Sequence, residues 1–411
     1  MNIAALSVAA LILAIVVSCV TSLNVGVLAL ALAWLVGVYA GGMPVATVMS
    51  GFPSQLFLTL AGMTLLFTLA HGNGTLDKVA HRAVQSCRGN RGVVPVMFFG
   101  LAAALASIGP GNIATAAIVA PMAMATASRA GIPLFLMAIM VGNGANAGAL
   151  SPFAPTGIIV NGLMERIGLG GYEVRTYLYN ALAHGLVAFG GYLLFGGWKL
   201  FRSNGDSTAD TGSASAVFDT RHWITVTVIA ALLVSIIFFN VNVGMGAFAG
   251  AVVLVLCRCA DDREGIRKMP WGVIVMVSGV TVLISVLEKA QGIDLIVSQL
   301  ARVATPETAA PGIALLTGLV SAYSSTSGVV LPAFLPMVPG LTRALVGVEG
   351  FSIASSMNIG GHLVDVSPLS TIGALCIAAS PPGEDARLLF NQLLAWGLSM
   401  CVVGALLCYV F

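Results

Sequence analysis

The polar chemistry of this chain is concentrated in four short stretches that interrupt apolar runs. Residues 107–116 read SIGPGNIATA, and Gly109, Pro110 and Gly111 break helix geometry between two apolar segments, neither comfortably long enough to cross a bilayer. Residues 321–329 read SAYSSTSGV, with Ser324, Ser325, Thr326, Ser327 and Gly328 at the corresponding turn. Irregular backbone at membrane depth is tolerated only where it is buried or lines a cavity, so these two stretches predict re-entrant hairpins whose polar tips meet at the midplane. Residues 142–152, GNGANAGALSP, and 358–368, NIGGHLVDVSP, each interrupt a long apolar run and end on Ser-Pro. Pro152 and Pro368 remove a backbone donor, so each run is expected to be a half-helix, an unwound stretch and a second half-helix. Unwound carbonyls can ligate a cation, and half-helix N-termini can hold an anion. Ordinary helical hairpins with short loops, and simple proline kinks, are the plainer alternatives.

Asp365 is the acidic residue that falls inside the expected membrane core, beside His362. An ionisable group at that depth is costly, which makes the pair a candidate proton or coupling site, unless the segment runs nearer the surface. His184 stands alone and reads as a packing histidine. The seven cysteines are scattered; Cys257 and Cys259 have no second pair and no histidine cluster, so neither a disulfide nor a metal site is expected. No Walker loop, zincin motif or nucleophile elbow is present, so neither an enzyme nor a cofactor is expected, and the energy for any transport is expected from an ion gradient.

The elements that must position these residues are membrane helices. Charged residues make up 8% of the 411 and hydrophobic residues 58%, against roughly 25% charged in soluble domains. Such a composition suits lipid as solvent, and nothing in it suggests nucleic acid. The 48 glycines fit helices packed backbone to backbone. The first apolar stretch lacks a basic leader and reads as a retained helix, not a signal peptide.

The polar, aperiodic segment 201–221 reads as a cytoplasmic linker between two halves, 1–200 and 222–411. The halves repeat each other. GMTLLFTLAHGNGTLD at 62–77 aligns without a gap on GVTVLISVLEKAQGID at 279–294, placing Gly62 on Gly279, Thr64 on Thr281 and Asp77 on Asp294. The two tip segments and the two break segments follow in the same order. With three spans, a hairpin and two spans per half, 13 of the 18 Lys and Arg residues fall on one side of the membrane, which is then cytoplasmic. Both termini are then periplasmic and the halves have opposite topology. The expected fold is an all-α integral membrane protein, an inverted-repeat transporter with about ten transmembrane helices and two re-entrant helical hairpins.

The order of these features resembles the ion transporter superfamily, and the tips resemble those of the divalent anion:sodium symporters. Each repeat of that family carries a Ser-Asn-Thr tip. Here the first tip reads Gly111-Asn112-Ile113, followed by Ala114 and Thr115, and the second reads Ser324-Ser325-Thr326, so both depart from the triplet. Size, the three spans before the first hairpin and the segment GPGNIATAAIVAPM are more similar to MatC-type malonate or dicarboxylate carriers. The resemblance implies a homodimer in the bacterial inner membrane, importing a small dicarboxylate by sodium-coupled symport with an elevator movement. The scaffold would be 1–92 and 222–310, and the moving part 93–200 and 311–411. It implies one sodium at Ser107, Asn112, Asn143 and Gly148 and a second at Ser321, Ser325, Asn358 and Val364. Substrate carboxylates would be held by Asn112, Thr115, Ser325 and Thr326, with Ser151 and Ser367 at the ends of the breaks. The competing readings are a proton-coupled carrier, an exchanger or anion efflux permease using Asp365 and His362 for protons, and a membrane protein that does not transport.

Overall fold

The structure is a computed structural model, and it describes residues 2–21, 23–85, 90–202, 218–239 and 241–410. Most of the expected linker, 201–221, lies outside the described residues, as do Cys87 and Arg88. All regular structure among the described residues is helical. The first half runs α1 (Ile3–Val20), α2 (Val25–Trp34), α3 (Val45–Met49), α4 (Ser54–Gly72), α5 (Thr75–Gln85), α6 (Val93–Ile108), α7 (Gly111–Ala130), α8 (Leu134–Ala149), α9 (Pro155–Arg166) and α10 (Glu173–Leu194). The second runs α11 (Thr220–Phe239), α12 (Val243–Leu256), α13 (Asp262–Lys268), α14 (Trp271–Lys289), α15 (Gly292–Val303) and α16 (Pro306–Ser321). It continues as α17 (Leu331–Phe334), α18 (Val338–Ala344), α19 (Gly350–Leu363), α20 (Thr371–Ala378) and α21 (Ala386–Val410). Elements of similar kind follow one another in the same order, except that the long α7 is matched by the π-helical turn Thr326–Val330 with the short α17 and α18.

By length and composition, five helical segments among the described residues can cross a membrane: α4, α7, α14, Gly350–Ala378 and Ala386–Tyr409. The pair α15 and α16, bent by 117°, would add a sixth if it is one span. The chain is therefore a multi-pass membrane protein. Further apolar helices such as α6, α8 and α12 have 16, 16 and 14 residues, short of the roughly 20 a perpendicular span needs. The arm α7, expected to be too short to span, has 20 residues and passes the length test.

Apolar side chains recur every third or fourth residue on exposed faces, as at Leu178, Leu182 and Leu186 of α10 and Leu398, Val402 and Leu406 of α21. In lipid such stripes are solvated, and helices hold together by close packing instead. Two close approaches interlace the halves. α14 lies on α2 so tightly that a Cβ on Gly279 would come within 2.1 Å of Gly26 O. α4 lies on α12 in the same way, with a Cβ on Gly62 reaching 2.4 Å from Gly244 O. Asn24 ties the first crossing, its Nδ2 donating to Gly272 O at 2.8 Å.

The breaks sit later than expected. Helix α8 continues through Gly142–Ala149, and the chain bends at 150–154. The glycines expected to unwind it instead let it press on α6: a Cβ on Gly144 would meet Phe99 O at 2.5 Å, and one on Gly148 would meet Ala103 O at 2.5 Å. Close backbone contact offsets the roughly 1 kcal/mol that glycine costs a helix. In the second half α19 ends at Leu363, one 3-10 turn covers Val364–Val366, and α20 restarts at Thr371. Both bends have the same local wiring. Ser151 Oγ accepts from Phe153 N at 3.3 Å, and Ser367 Oγ accepts from Leu369 N at 3.3 Å.

Candidate functional site

The first hairpin turns at Gly109 and Pro110. Gly109 has φ +150°, and a Cβ there would come within 2.0 Å of Phe67 Cε2, so only glycine fits. Gly111 then starts α7 against the Pro155 ring, where α9 restarts. This brings the first tip to the end of the first break. The second hairpin turns at 322–325, and Ser325 caps the π-helical turn Thr326–Val330, its Oγ accepting from Gly328 N at 3.2 Å.

Both tips and the second break meet at a cavity of about 250 Å³. Asn112 comes from the first tip, Ser325 and Thr326 from the second, His362 and Asp365 from the second break, and Thr156 from α9. Neither lysine nor arginine lines it. Asp365 is the carboxylate that is buried among the described residues. Its Oδ1 accepts from Thr326 Oγ1 at 2.8 Å and from Ser370 Oγ at 3.4 Å. Ser321 and Thr326 are joined hydroxyl to hydroxyl; since Thr326 gives its one proton to Asp365, Ser321 donates to Thr326. A carboxyl group, an imidazole and a shell of hydroxyls thus line the same cavity.

Asn112, on the lining, belongs to a lattice of amides. Asn112 Nδ2 donates to Asn146 Oδ1 at 2.8 Å, and Asn146 Nδ2 donates to His362 O at 3.5 Å. Asn180 Nδ2 donates to Asn146 O at 2.8 Å.

The expected site residues divide into those the cavity gathers and those it leaves outside. Asn112, Ser325, Thr326, His362 and Asp365 line it. Thr115, Ser151 and Ser367 are buried away from its lining; Ser151 Oγ donates to Ser107 O at 2.6 Å. The residues of the first sodium set are engaged with the protein. Ser107 Oγ donates to Ala103 O at 2.6 Å and pairs with Tyr177 Oη at 3.0 Å. Asn143 Nδ2 donates to Ile139 O at 2.8 Å and its Oδ1 meets His184 Nδ1 at 2.9 Å. Gly148 is pressed on α6, and its carbonyl accepts from Ser151 N at 3.1 Å. Of the second set, Ser321 reaches the cavity wall through Thr326, Val364 lies in the 3-10 turn, and the Asn358 side chain is buried without a partner.

Sequence reasoning passed over Asn146, Asn180, Thr156 and Ser370, and it read His184 as mere packing. Asn146 could have been found: it follows Asn143 by three residues, which puts both on one face of α8.

Residues 1–149 match the family model described as the dicarboxylate carrier protein MatC N-terminus. No curated protein matches the chain. The YdaH transporter of Alcanivorax borkumensis, in a crystal structure described as having an unusual topology, has a similar fold: TM-score 0.64 at 16% identity, covering 89% of this chain and 87% of that one. MtrF of Neisseria gonorrhoeae, described as illuminating a class of antimetabolite efflux pumps, gives 0.62 at 14%, covering 92% and 84%. Over its first 149 residues the chain is similar to the N-terminal region of the MatC-type dicarboxylate carriers, and over most of its length it shares the fold of these two solved structures.

Proposed function

We propose that the chain is a secondary active transporter, not an enzyme, that imports a small dicarboxylate by sodium-coupled symport. The observation that carries this reading is the cavity where both hairpin tips meet, lined by hydroxyls, the Asn112 amide, the Asp365 carboxyl and the His362 imidazole, with neither lysine nor arginine. Hydroxyls and amides can bind carboxylates, but a dianion there would need countercharge, and bound sodium would supply it. The matched dicarboxylate carrier model adds the substrate class. On this reading the two halves are inverted repeats with about ten crossings, counting the short and bent helices, and α6–α7 and α16–α18 are re-entrant. The parts at 93–200 and 311–411 move as an elevator against 1–92 and 222–310, within a homodimer in the inner membrane. Both termini are periplasmic and 201–221 is cytoplasmic; cysteine labelling of that segment from the periplasmic side would contradict this.

The test is uptake of labelled C3–C6 dicarboxylates by proteoliposomes, with and without a sodium gradient. Saturable uptake that needs sodium is expected. Uptake driven equally by a proton gradient with sodium absent would transfer coupling to Asp365 and His362. A proton-coupled second reading has its own support, since those two groups share the cavity wall with Thr326. Outward transport, as the description of MtrF suggests for that protein, would show as sodium- or proton-driven loss of preloaded substrate.

A further inference from the structure

Behind the cavity, α8, α10 and α19 meet along a seam of amides and imidazoles. Asn143, Asn146, Asn180, His184, Asn358 and His362 are each at most 1% exposed. Hydrogen bonds fix which way Asn143, Asn146, Asn180 and His184 face. Asn143 Nδ2 donates to Ile139 O, so its Oδ1 takes the proton of His184 Nδ1. His184 Nε2 is then a bare lone pair. Asn180 Nδ2 is used by Asn146 O, which leaves Asn180 Oδ1 as a second acceptor. Neither acceptor has a partner, nor has either polar atom of Asn358. Ser355, one turn earlier on α19, also has an unpartnered buried hydroxyl. It lies in the wall of a pocket of about 40 Å³ that also contains Arg175 and Glu349, large enough for a water molecule or a small ion.

Unfilled lone pairs outnumber unfilled N–H groups on this seam, which is the chemistry of a cation's surroundings. We propose that the α8–α10–α19 seam binds a small monovalent cation, sodium or a hydrated proton, apart from the hairpin tips. The charged and titratable groups around it are few. His362 on α19 is within electrostatic reach of His184. Arg175 on α10, Glu349 at the start of α19 and Cys408 on α21 line the outer pocket, while α8 contributes the uncharged Asn143 and Asn146. Asp365 faces the cavity instead, bonded to Thr326. Occupancy is felt at the substrate site because Asn146, held by Asn180, also holds Asn112 and the His362 carbonyl.

Binding is measured without substrate, so the result does not depend on which anion is carried. The melting temperature of the purified protein is followed in sodium, potassium and choline chloride at fixed pH, and across pH in choline chloride. A saturable rise is expected with sodium, with acid, or with both, and the two arms identify the ion. Asn358→Leu removes a side chain that has no partner, so it leaves every observed hydrogen bond in place; it and His184→Phe are expected to weaken the apparent affinity at least tenfold. Ser325→Ala, at the tip, is expected to retain the shift. No ion-specific shift in the native protein, an unchanged shift in both seam variants, or loss only in Ser325→Ala would overturn the proposal. Should His184→Phe fail to fold, anomalous diffraction from crystals of the native protein soaked in thallium(I) decides: a peak on the seam is expected, and peaks at the tips alone refute it.

Discussion

The two hairpin tips hold corresponding places in their halves and are equipped in opposite ways. The first presents one amide, Asn112, locked into a lattice by Asn146 and indirectly by Asn180. The second presents hydroxyls, of which Thr326 is tied to Asp365 while Ser325 is half-buried and caps its own turn. The backbones differ too: Gly109 is wedged against the Phe67 ring, whereas Gly328 faces the flexible end of Met276. An amide held in a lattice therefore shares the cavity with hydroxyls, one of which is bonded to a carboxyl group.

The largest expected effect of a substitution is at the first tip. Gly109→Val puts a branched side chain at φ +150° and into Phe67, and should leave little folded protein by size-exclusion chromatography. Gly328→Val should remain folded, because Met276 can move; equal damage at both sites would erase the contrast between the tips. Next comes Asn112→Ala, which strands Asn146 Oδ1 in a buried site. That costs about 1–3 kcal/mol, and uptake should fall roughly tenfold or more with the protein still folded. Asp365→Asn keeps an oxygen for Thr326 and Ser370 and should lower the rate a few-fold while preserving sodium dependence. Loss of sodium dependence in that variant would make Asp365 the coupling element. The smallest effect is Ser325→Ala, which removes a turn cap worth about 1 kcal/mol and should slow uptake by less than Asn112→Ala. The reverse order would show that the second tip holds the substrate harder.

The tips were legible because glycine, proline and a serine cluster interrupt helix-forming runs, and those residues act locally. The position of the first break was not. Glycine in a helix interior can mean unwinding or close packing, and the neighbour that decides it for Gly144 is Phe99, on a different helix. Asp365 was found by its cost in a membrane. The same cost applies to His184, but a lone histidine says nothing about partners, and Asn143 becomes its neighbour only when α8 and α10 pack. The local setting of Ser151 and Ser367 was not legible for a related reason: a serine before a proline can face a cavity or fold back on its own backbone, and here both accept from the residue two positions later.

The interlaced crossings bear on how the chain is made. Helix α2 leaves the ribosome early, yet the surface it fits lies on α14, and the bond from Asn24 closes over 248 residues. At about 5–20 residues per second, that partner arrives tens of seconds later. Until then the groove around Gly26 faces lipid or a chaperone of the insertion machinery. The first half is therefore an unfinished object during biogenesis, and its maturation is timed by synthesis of the second.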